Sequence, residues 1–369
     1  MRIAIVSPFM FRYTRGIERF TWELSAALAR NGVEIDILTW DEHNPLNWGE
    51  VPPNVAVKKV PRFRYFMALA AAPYYAAWMI RRRYDWTLFF FAGYGEGYAV
   101  RILRWFHSFR YCLVFHFPVE LVPHRFDEFA RHKLQERATL LIGVSALVAN
   151  GAGARFGREC VVIPNGVDPA RFARSLSTRD TVREQLGISK HAPVLITLAA
   201  LEERKGIQWV IRAVARLQRH FPEITYLVVG SGPHRAALQD ESLRLGLQKH
   251  IKFLGARTNV VELLDASDIG CLLSRGEAFG IALLEFMAME LPVVTSSRPP
   301  FSEFVQPQWG RLVDEEDSGQ VVEVLASLLR DPAQRSSMGK AGREYVLHAY
   351  TWDCIAQQYL QHFGGLETS

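Results

Sequence analysis

The residues best suited to chemistry lie in one short segment, where two glutamates flank a glycine. Glu277 and Glu285 are separated by seven residues, and Gly280 stands between them at the start of a predicted helix. The N–H groups of a helix N-terminus bind anions, and a glycine there lets a phosphate approach the backbone closely. One carboxylate could then accept two hydrogen bonds from a ribose diol, and the other could reach a group beyond the phosphates. The alternative is two surface glutamates on an ordinary amphipathic helix.

Two cations follow another predicted strand. Arg204 and Lys205 precede Gly206, where a strand over 194–199 gives way to a helix over 206–219. Ligands of parallel α/β sheets bind at the carboxyl ends of the strands, and neighbouring cations there suit a diphosphate. The alternative is a solvated charge cluster.

The first half of the chain places a glycine and a histidine after predicted strands. Gly16 opens a helix after the strand over 3–6, and His116 follows the strand over 111–115. Such a histidine is either a structural core residue or a group that faces a ligand. The glycines within 93–97 look like a phosphate loop, but their spacing does not fit a dinucleotide site, and we interpret this segment as a flexible loop.

The elements that must position these residues alternate between strands and helices. Apolar runs and helical spacing predict β–α–β units through the first half and, after a polar stretch over 173–190 without a strand signal, again from residue 194. This alternation favours parallel sheets covered by helices. We therefore expect an α/β protein of two doubly wound Rossmann-like domains that face each other across a cleft, over 1–168 and 169–350, with a closing helix over 351–369 that packs back on the first domain.

Composition narrows the class of protein. The chain of 369 residues has the length of two globular domains. Its composition, 49% hydrophobic and 22% charged, excludes a disordered or coiled-coil protein. No apolar segment has the length of a membrane span, so a soluble cytoplasmic protein is expected. The four cysteines are far apart, and no Asp-x-Asp, His-Glu-x-x-His or P-loop sequence occurs. We expect no metal ion, no cofactor and no nucleic-acid partner.

One region of the chain is both basic and aromatic. Residues 58–110 carry ten lysines and arginines against two acidic residues, with many phenylalanines, tyrosines and tryptophans. Such a region suits an anionic membrane surface and predicts a peripheral association with the inner face of the membrane. The alternative is a solvated basic face over an aromatic core.

Five sequence motifs occur in a characteristic order. They are Val162–Asp168, Arg204–Gly206, Leu227–Pro233, Phe253–Gly255, and Glu277 with Glu285. In this combination the chain resembles the retaining glycosyltransferases of the two-Rossmann-domain (GT-B) architecture, in glycosyltransferase family 4. The resemblance covers nearly the whole chain and is strongest over 194–296.

The resemblance implies a role for each candidate residue. Lys205 and Arg204 would bind the diphosphate of a nucleotide-sugar donor, Glu285 would bind its ribose, and Glu277 would hold the transferred sugar. The implied catalytic residues are His116, Lys205 and Glu277, and the implied donor-binding residues are Arg15, Gly16, Arg204, Lys205, Gly255, Phe279, Gly280, Ile281 and Glu285.

The first domain matches the family less completely. Gly16 would offer its backbone to the diphosphate, and His116 would lie near the sugar and the acceptor. Arg15 precedes Gly16 where the family usually has a pair of glycines, and Ala200 stands where the family usually has a phosphate-binding arginine. Arg15 and Arg204 are the candidates to replace the charge missing at position 200.

The sequence therefore predicts a metal-independent, retaining glycosyltransferase that moves a sugar from a nucleotide-diphosphate sugar to a glycan or a lipid-linked acceptor. No enzyme nucleophile is evident, so we expect a front-face substitution in which the leaving phosphate takes the acceptor's proton. Two alternatives remain open: a non-catalytic glycan-binding or partner subunit on the same fold, and an enzyme such as an epimerase that acts on the nucleotide sugar itself. The nucleotide, the sugar and the acceptor are left open.

Overall fold

The computed structural model describes residues 1–7, 10, 16–39, 43, 48–60, 73, 76–77, 79–90, 110–117 and 138–365. Arg15, the segment 93–97 and most of the basic-aromatic region 58–110 lie outside these residues. The chain divides into two compact units, unit 1 (Met1–Gly166 with Trp352–Ser369) and unit 2 (Val167–Thr351). The boundary after Gly166 lies two residues before the predicted boundary at 168. The boundary after Thr351 lies one residue after the predicted boundary at 350.

Unit 1 contains a sheet of seven parallel strands in the order β3-β2-β1-β4-β5-β6-β7. The strands are β1 (Arg2–Val6), β2 (Glu34–Thr39), β3 (Val55–Lys59), β4 (Trp86–Phe89), β5 (Tyr111–Phe115), β6 (Leu140–Gly143) and β7 (Val161–Val162). The described helices are α1 (Gly16–Arg30), α2 (Ala146–Phe156) and α11 (Trp352–Gly365). Strand order reverses between β1 and β4, which is the arrangement of a doubly wound fold.

The core of unit 1 follows from its sequence pattern. Ile3 and Ile5 in β1 are fully buried, because the central strand of a parallel sheet is covered on both faces. Helix α1 has Ile17, Phe20, Leu24 and Leu28 at helical spacing, and it buries the last three fully while Ile17 is half-buried.

Helix α11 belongs to this core although it comes last in the chain. Its residues Tyr359 and Phe363 are fully buried, and the Phe363 ring stacks on Trp86 of β4 at 4.5 Å between centroids. At the start of α11, Trp352 packs edge-on against Phe20 at 5.4 Å.

Unit 2 repeats the same topology with six parallel strands in the order β10-β9-β8-β11-β12-β13. The strands are β8 (Val194–Leu198), β9 (Thr225–Val229), β10 (Ile251–Gly255), β11 (Ile269–Leu272), β12 (Val293–Ser296) and β13 (Gly310–Val313). The helices are α3 (Leu176–Gln185), α4 (Ile207–Leu217), α5 (Arg235–Arg244), α6 (Val260–Asp265), α7 (Ile281–Ala288), α8 (Phe301–Phe304), α9 (Ser318–Arg330) and α10 (Pro332–Ala349). The prediction of two doubly wound α/β domains is confirmed.

Two further features of the fold bear on function. The polar stretch 173–190, which gave no strand signal, contains helix α3. Among the described residues, no helix combines the length and the apolar composition that a membrane span requires.

Candidate active site

The strand order of unit 2 brings the predicted cations and carboxylates together. Strands β8 and β11 are neighbours, with Leu195 paired to Ile269, and sheet order reverses between them. Lys205 follows β8 and Glu277 follows β11, so both lie beyond the carboxyl ends of strands at the reversal point, where open α/β sheets bind ligands.

Lys205 and Glu277 form a direct ion pair. The distance from Lys205 Nζ to Glu277 Oε1 is 2.5 Å, and the two side chains are only 11% and 14% exposed. These residues are 72 positions apart in the sequence. The proposed diphosphate cation and the proposed sugar carboxylate therefore occupy one nearly buried site.

Further hydrogen bonds join the two loops that carry this pair, the Lys205 turn (Glu202–Gly206) and the Glu277 loop (Ser274–Gly280). The carbonyl oxygen of Arg204 accepts from the backbone N–H of Arg275 at 2.8 Å and from Ser274 Oγ at 3.1 Å. Arg204 Nη1 donates to the carbonyl oxygen of Gly276 at 2.5 Å. The turn and the loop consequently form one block.

The charge of Arg204 is also engaged. Its Nε donates to Glu202 Oε2 at 2.8 Å, in a half-exposed ion pair. Arg204 is thus placed to hold the Glu277 loop against the Lys205 turn. Sequence reasoning missed Glu202 as its counter-ion, although the run Glu202–Lys205 carried the signal.

Gly206 allows the turn to lie against the end of β11. Its φ is +70°, and a Cβ at this position would lie 1.8 Å from the carbonyl oxygen of Leu273, the residue that follows β11. No side chain fits such a contact. Replacement of Gly206 would therefore separate Lys205 from Glu277.

Helix α7 starts at the predicted anion-binding glycine. Gly280 is its N-cap with φ +89°, and Ile281 is its first residue. The early N–H groups of a helix have no intrahelical acceptor, so they can bind a phosphate. Glu285 lies half-buried one turn further along α7. Phe279 is buried and stacks on Phe304 at 5.4 Å, so its side chain anchors the loop in the core.

Gly255 lies at the end of β10, two strands from β8, which corresponds to about 10 Å across a sheet. Its φ is +71°, and its carbonyl oxygen accepts a hydrogen bond from the N–H of Gly230 at 2.8 Å. It therefore belongs to the same carboxyl edge as Lys205 and Glu277 but is not in contact with them. Within the part of the chain that the structure describes, no group of histidine, cysteine and acidic side chains could hold a metal ion.

The predicted residues of unit 1 lie after β1 and β5. Gly16 is the first residue of α1, and Arg15 is outside the described residues. His116 directly follows β5 and is buried, with its ring edge-on to Phe20 at 4.5 Å and to Phe90 at 5.7 Å.

The imidazole of His116 is neutral at physiological pH. Burial lowers its pKa from 6.5 to about 3, because water no longer solvates the charged form. Its Nε2 is buried and makes no hydrogen bond to any residue that the structure describes. A buried ring nitrogen without a protein partner is suited to a ligand hydroxyl.

Two family models match the chain, one for each half. The Glycosyltransferase Family 4 model matches residues 14–171, and the Glycosyl transferases group 1 model matches residues 178–345. The second range contains Lys205, Glu277 and Glu285.

Curated relatives match part of the chain. A GDP-mannose-dependent alpha-(1-6)-phosphatidylinositol monomannoside mannosyltransferase of Mycolicibacterium smegmatis is 31% identical over 237 residues, which cover 60% of this chain and 61% of the relative. The N-acetyl-alpha-D-glucosaminyl L-malate synthase of Bacillus anthracis is 31% identical over 179 residues, which cover 48% of this chain and 47% of the relative. The chain thus spans about half to three fifths of the length of these relatives.

Solved structures match over nearly the whole chain. A glycosyltransferase from Rickettsia africae has a TM-score of 0.84 at 18% identity, covering 100% of this chain and 99% of that one. The Anabaena HepE protein in complex with UDP and glucose has a TM-score of 0.80 at 21% identity, covering 99% of this chain and 100% of that one. These identities support the fold alone. The two family models match most of the chain between them, and they show that the chain belongs to the glycosyltransferases of family 4, with the GT-B fold of these structures.

Proposed function

We propose that this protein is a metal-independent, retaining glycosyltransferase that transfers a sugar from a nucleoside-diphosphate sugar to a glycan or a lipid-linked acceptor. The observation that carries the proposal is the Lys205–Glu277 pair at the reversal point of the unit 2 sheet. It places a cation suited to a diphosphate beside a carboxylate suited to sugar hydroxyls, at the N-terminal side of α7.

The proposed roles follow from the charge that develops as the donor bond breaks. Lys205 and the first N–H groups of α7 stabilise the negative charge that accumulates on the leaving diphosphate. Glu277 orients the transferred sugar and stabilises its partial positive charge, while Glu285 binds the ribose at a distance from the reacting bond. These groups can neutralise the leaving diphosphate without a metal ion.

The proposed transfer is a front-face substitution. The bond between the anomeric carbon and the diphosphate oxygen breaks, and a bond from the acceptor oxygen forms on the same face. The acceptor's proton passes to the leaving phosphate oxygen. Attack and departure on one face retain the anomeric configuration.

The relatives support the donor and acceptor classes. The Mycolicibacterium smegmatis relative is named for its dependence on GDP-mannose and for a phosphatidylinositol-based acceptor. By this similarity a nucleoside-diphosphate sugar and a lipid-linked acceptor are the proposed substrates. Peripheral membrane association through 58–110 remains a prediction from composition.

A donor-hydrolysis and transfer assay tests the enzymatic proposal. We expect Lys205→Ala to lower kcat by a factor on the order of 10²–10³, because it removes charge stabilisation of the transition state. Lys190→Ala is the matched control, since Lys190 is an exposed lysine of unit 2 that pairs with Asp180. Wild-type turnover in Lys205→Ala would remove the basis of the proposed donor site.

Two further measurements address the finer parts of the proposal. Activity should persist in excess chelator. Loss of activity in the chelator, followed by its restoration with manganese, would contradict metal independence. NMR of the product should show the anomeric configuration of the donor, and inversion would contradict the front-face mechanism.

A non-catalytic binding subunit is the second candidate function, and Ala200 favours it. This residue is exposed just beyond β8, where the family usually has a phosphate-binding arginine. Saturable nucleotide binding without any release of nucleoside diphosphate from a donor would support this alternative.

A further inference from the structure

The charges that a donor would meet in unit 2 are already neutralised by each other. Lys205 Nζ lies 2.5 Å from Glu277 Oε1, and Arg204 Nε lies 2.8 Å from Glu202 Oε2. Two cations thus face two carboxylates before any anion binds. A diphosphate must compete with Glu277 for Lys205.

The consequence for Glu277 depends on what replaces the ammonium group. Its side chain is only 14% exposed, so water solvates the carboxylate poorly. A nearly buried carboxylate that loses its cation is strongly destabilised. The hydroxyls of a donor sugar can donate hydrogen bonds to the carboxylate and take the place of the Lys205 Nζ donor. A nucleoside diphosphate that carries no transferable sugar has no such group at this position.

The block formed by the two loops limits how the pair can open. The N–H of Arg275 donates to the carbonyl oxygen of Arg204, and Arg204 Nη1 donates to the carbonyl oxygen of Gly276. These bonds hold the backbone of the Lys205 turn against the Glu277 loop. The pair therefore opens by rotation of the flexible lysine stem, without separation of the loops.

We infer that the Lys205–Glu277 pair discriminates a nucleoside-diphosphate sugar from the nucleoside diphosphate that lacks the transferable sugar. The pair opposes binding of the diphosphate alone, and it opens at little cost when a sugar occupies Glu277. After transfer, the same pair re-forms and favours release of the spent nucleotide. This inference rests on the proposed donor-binding function and specifies how that site selects substrate over product.

Calorimetry with defined anions tests the inference without requiring turnover. The probes are pyrophosphate, UDP, GDP, UDP-glucose and GDP-mannose. Glu277→Gln keeps the shape of the side chain but removes its charge, so Lys205 is released toward the phosphates. We expect the affinity for pyrophosphate to rise about tenfold, and the preference for a nucleotide sugar over its nucleoside diphosphate to fall by a similar factor.

Two matched variants separate the effect of breaking the Lys205–Glu277 ion pair from the effect of changing the net charge. Glu203→Gln removes the same charge from an exposed residue of the Lys205 turn, and its pyrophosphate affinity should change less than about twofold. Glu277→Asp keeps the charge but withdraws the carboxylate from Nζ, and its pyrophosphate affinity should rise although net charge is unchanged. Thermal unfolding confirms that each variant is folded, and Glu277→Asp serves alone if Glu277→Gln does not fold.

The outcomes distinguish this inference from the proposed function. Donor binding and transfer by the wild type, with pyrophosphate affinity unchanged in both Glu277 variants, would overturn the inference alone. An equal gain in Glu203→Gln and Glu277→Gln would also overturn it, since net charge would then explain the result. Absence of binding for every probe in the wild type and all variants would overturn the proposed function as well.

Discussion

At the scale of the residue, His116 is buried and has a ring nitrogen that can bind a ligand. It lies between Phe20 and Phe90, and Nε2 has no hydrogen-bond partner among the described residues. Burial keeps the ring neutral, since its pKa is lowered to about 3. Nε2 of a neutral imidazole can accept a hydrogen bond from a hydroxyl or donate one to it, depending on the tautomer, without placing a charge in the site.

This burial predicts a pH dependence of stability. The pKa of His116 in the folded state lies below the unfolded value of 6.5, so its contribution is complete above pH 6.5 and is lost as the pH falls toward about 3. Between pH 7.5 and pH 5.0 the loss corresponds to about 2 kcal/mol. We expect His116→Phe to lose less free energy of unfolding than the wild type over this range, by about that amount.

Urea unfolding at the two pH values measures the difference. His220→Gln, which removes an exposed histidine, should lose as much stability as the wild type. An identical loss in the wild type and in His116→Phe would show that His116 is solvated in solution.

Sequence reasoning predicted the positions of these candidate residues after strands, but it did not predict their contacts. Lys205 and Glu277 were placed at strand ends because apolar runs define where parallel strands stop. Their contact could not be predicted, since it depends on β8 and β11 being neighbours in the sheet. The neutral state of His116 likewise depends on Phe20 and Phe90, which come from separate elements.

At the scale of an element, helix α3 is attached to unit 2 by buried polar contacts. Arg183 is 1% exposed and donates to four backbone carbonyl oxygens as well as to Asp268 Oδ2 at 3.0 Å. Arg179 binds the other oxygen of Asp268 at 2.6 Å. Burial lowers the pKa of Arg183, and the Asp268 carboxylate counteracts this effect. Asp268 therefore forms an ion pair with both guanidinium groups.

We predict that Asp268→Asn destabilises unit 2 by about 3–5 kcal/mol, because it leaves a buried guanidinium without its counter-ion. Hydrogen–deuterium exchange should show faster exchange in α3 and β8, since the N–H of Val194 also donates to Asp268. Asp180→Asn, which disrupts an exposed pair with Lys190, is the matched control and should leave exchange unchanged. Equal exchange in both variants would contradict the role given to Asp268.

Strands β3 and β13 and helix α3 are among the elements that sequence reasoning missed, for two different physical reasons. Strands β3 and β13 lie at the edges of their sheets, where half-exposed residues break the apolar run that identifies a central strand. Helix α3 is anchored by arginines, and its polar composition hid it from a search for apolar spacing. Central strands such as β1, β8 and β11 were predicted because burial on both faces makes their sequences uniformly apolar.

At the scale of the whole molecule, unit 1 depends on a helix that is distant in sequence. Phe363 of α11 is fully buried against Trp86. We predict that Phe363→Ala destabilises unit 1 by about 3–5 kcal/mol through the cavity that it leaves. Hydrogen–deuterium exchange should increase in β1 and β4 and stay unchanged in β8 and β11. The control is Gln361→Ala, at an exposed position of the same helix, and it should leave exchange in both units unchanged. Increased exchange in unit 2 of Phe363→Ala would contradict the prediction that the effect is confined to unit 1.

The position of α11 also affects how the chain folds on the ribosome. Domains usually fold in the order in which they are synthesised. Here β1–β7 emerge first, but Trp86 lacks its contact with Phe363 and Phe20 lacks its contact with Trp352 until residues 352–365 have been translated. All of unit 2 emerges before that point. The nascent chain is therefore expected to complete unit 2 before unit 1. Until then the apolar surface of unit 1 that α11 covers is exposed, and this surface is where a chaperone would bind.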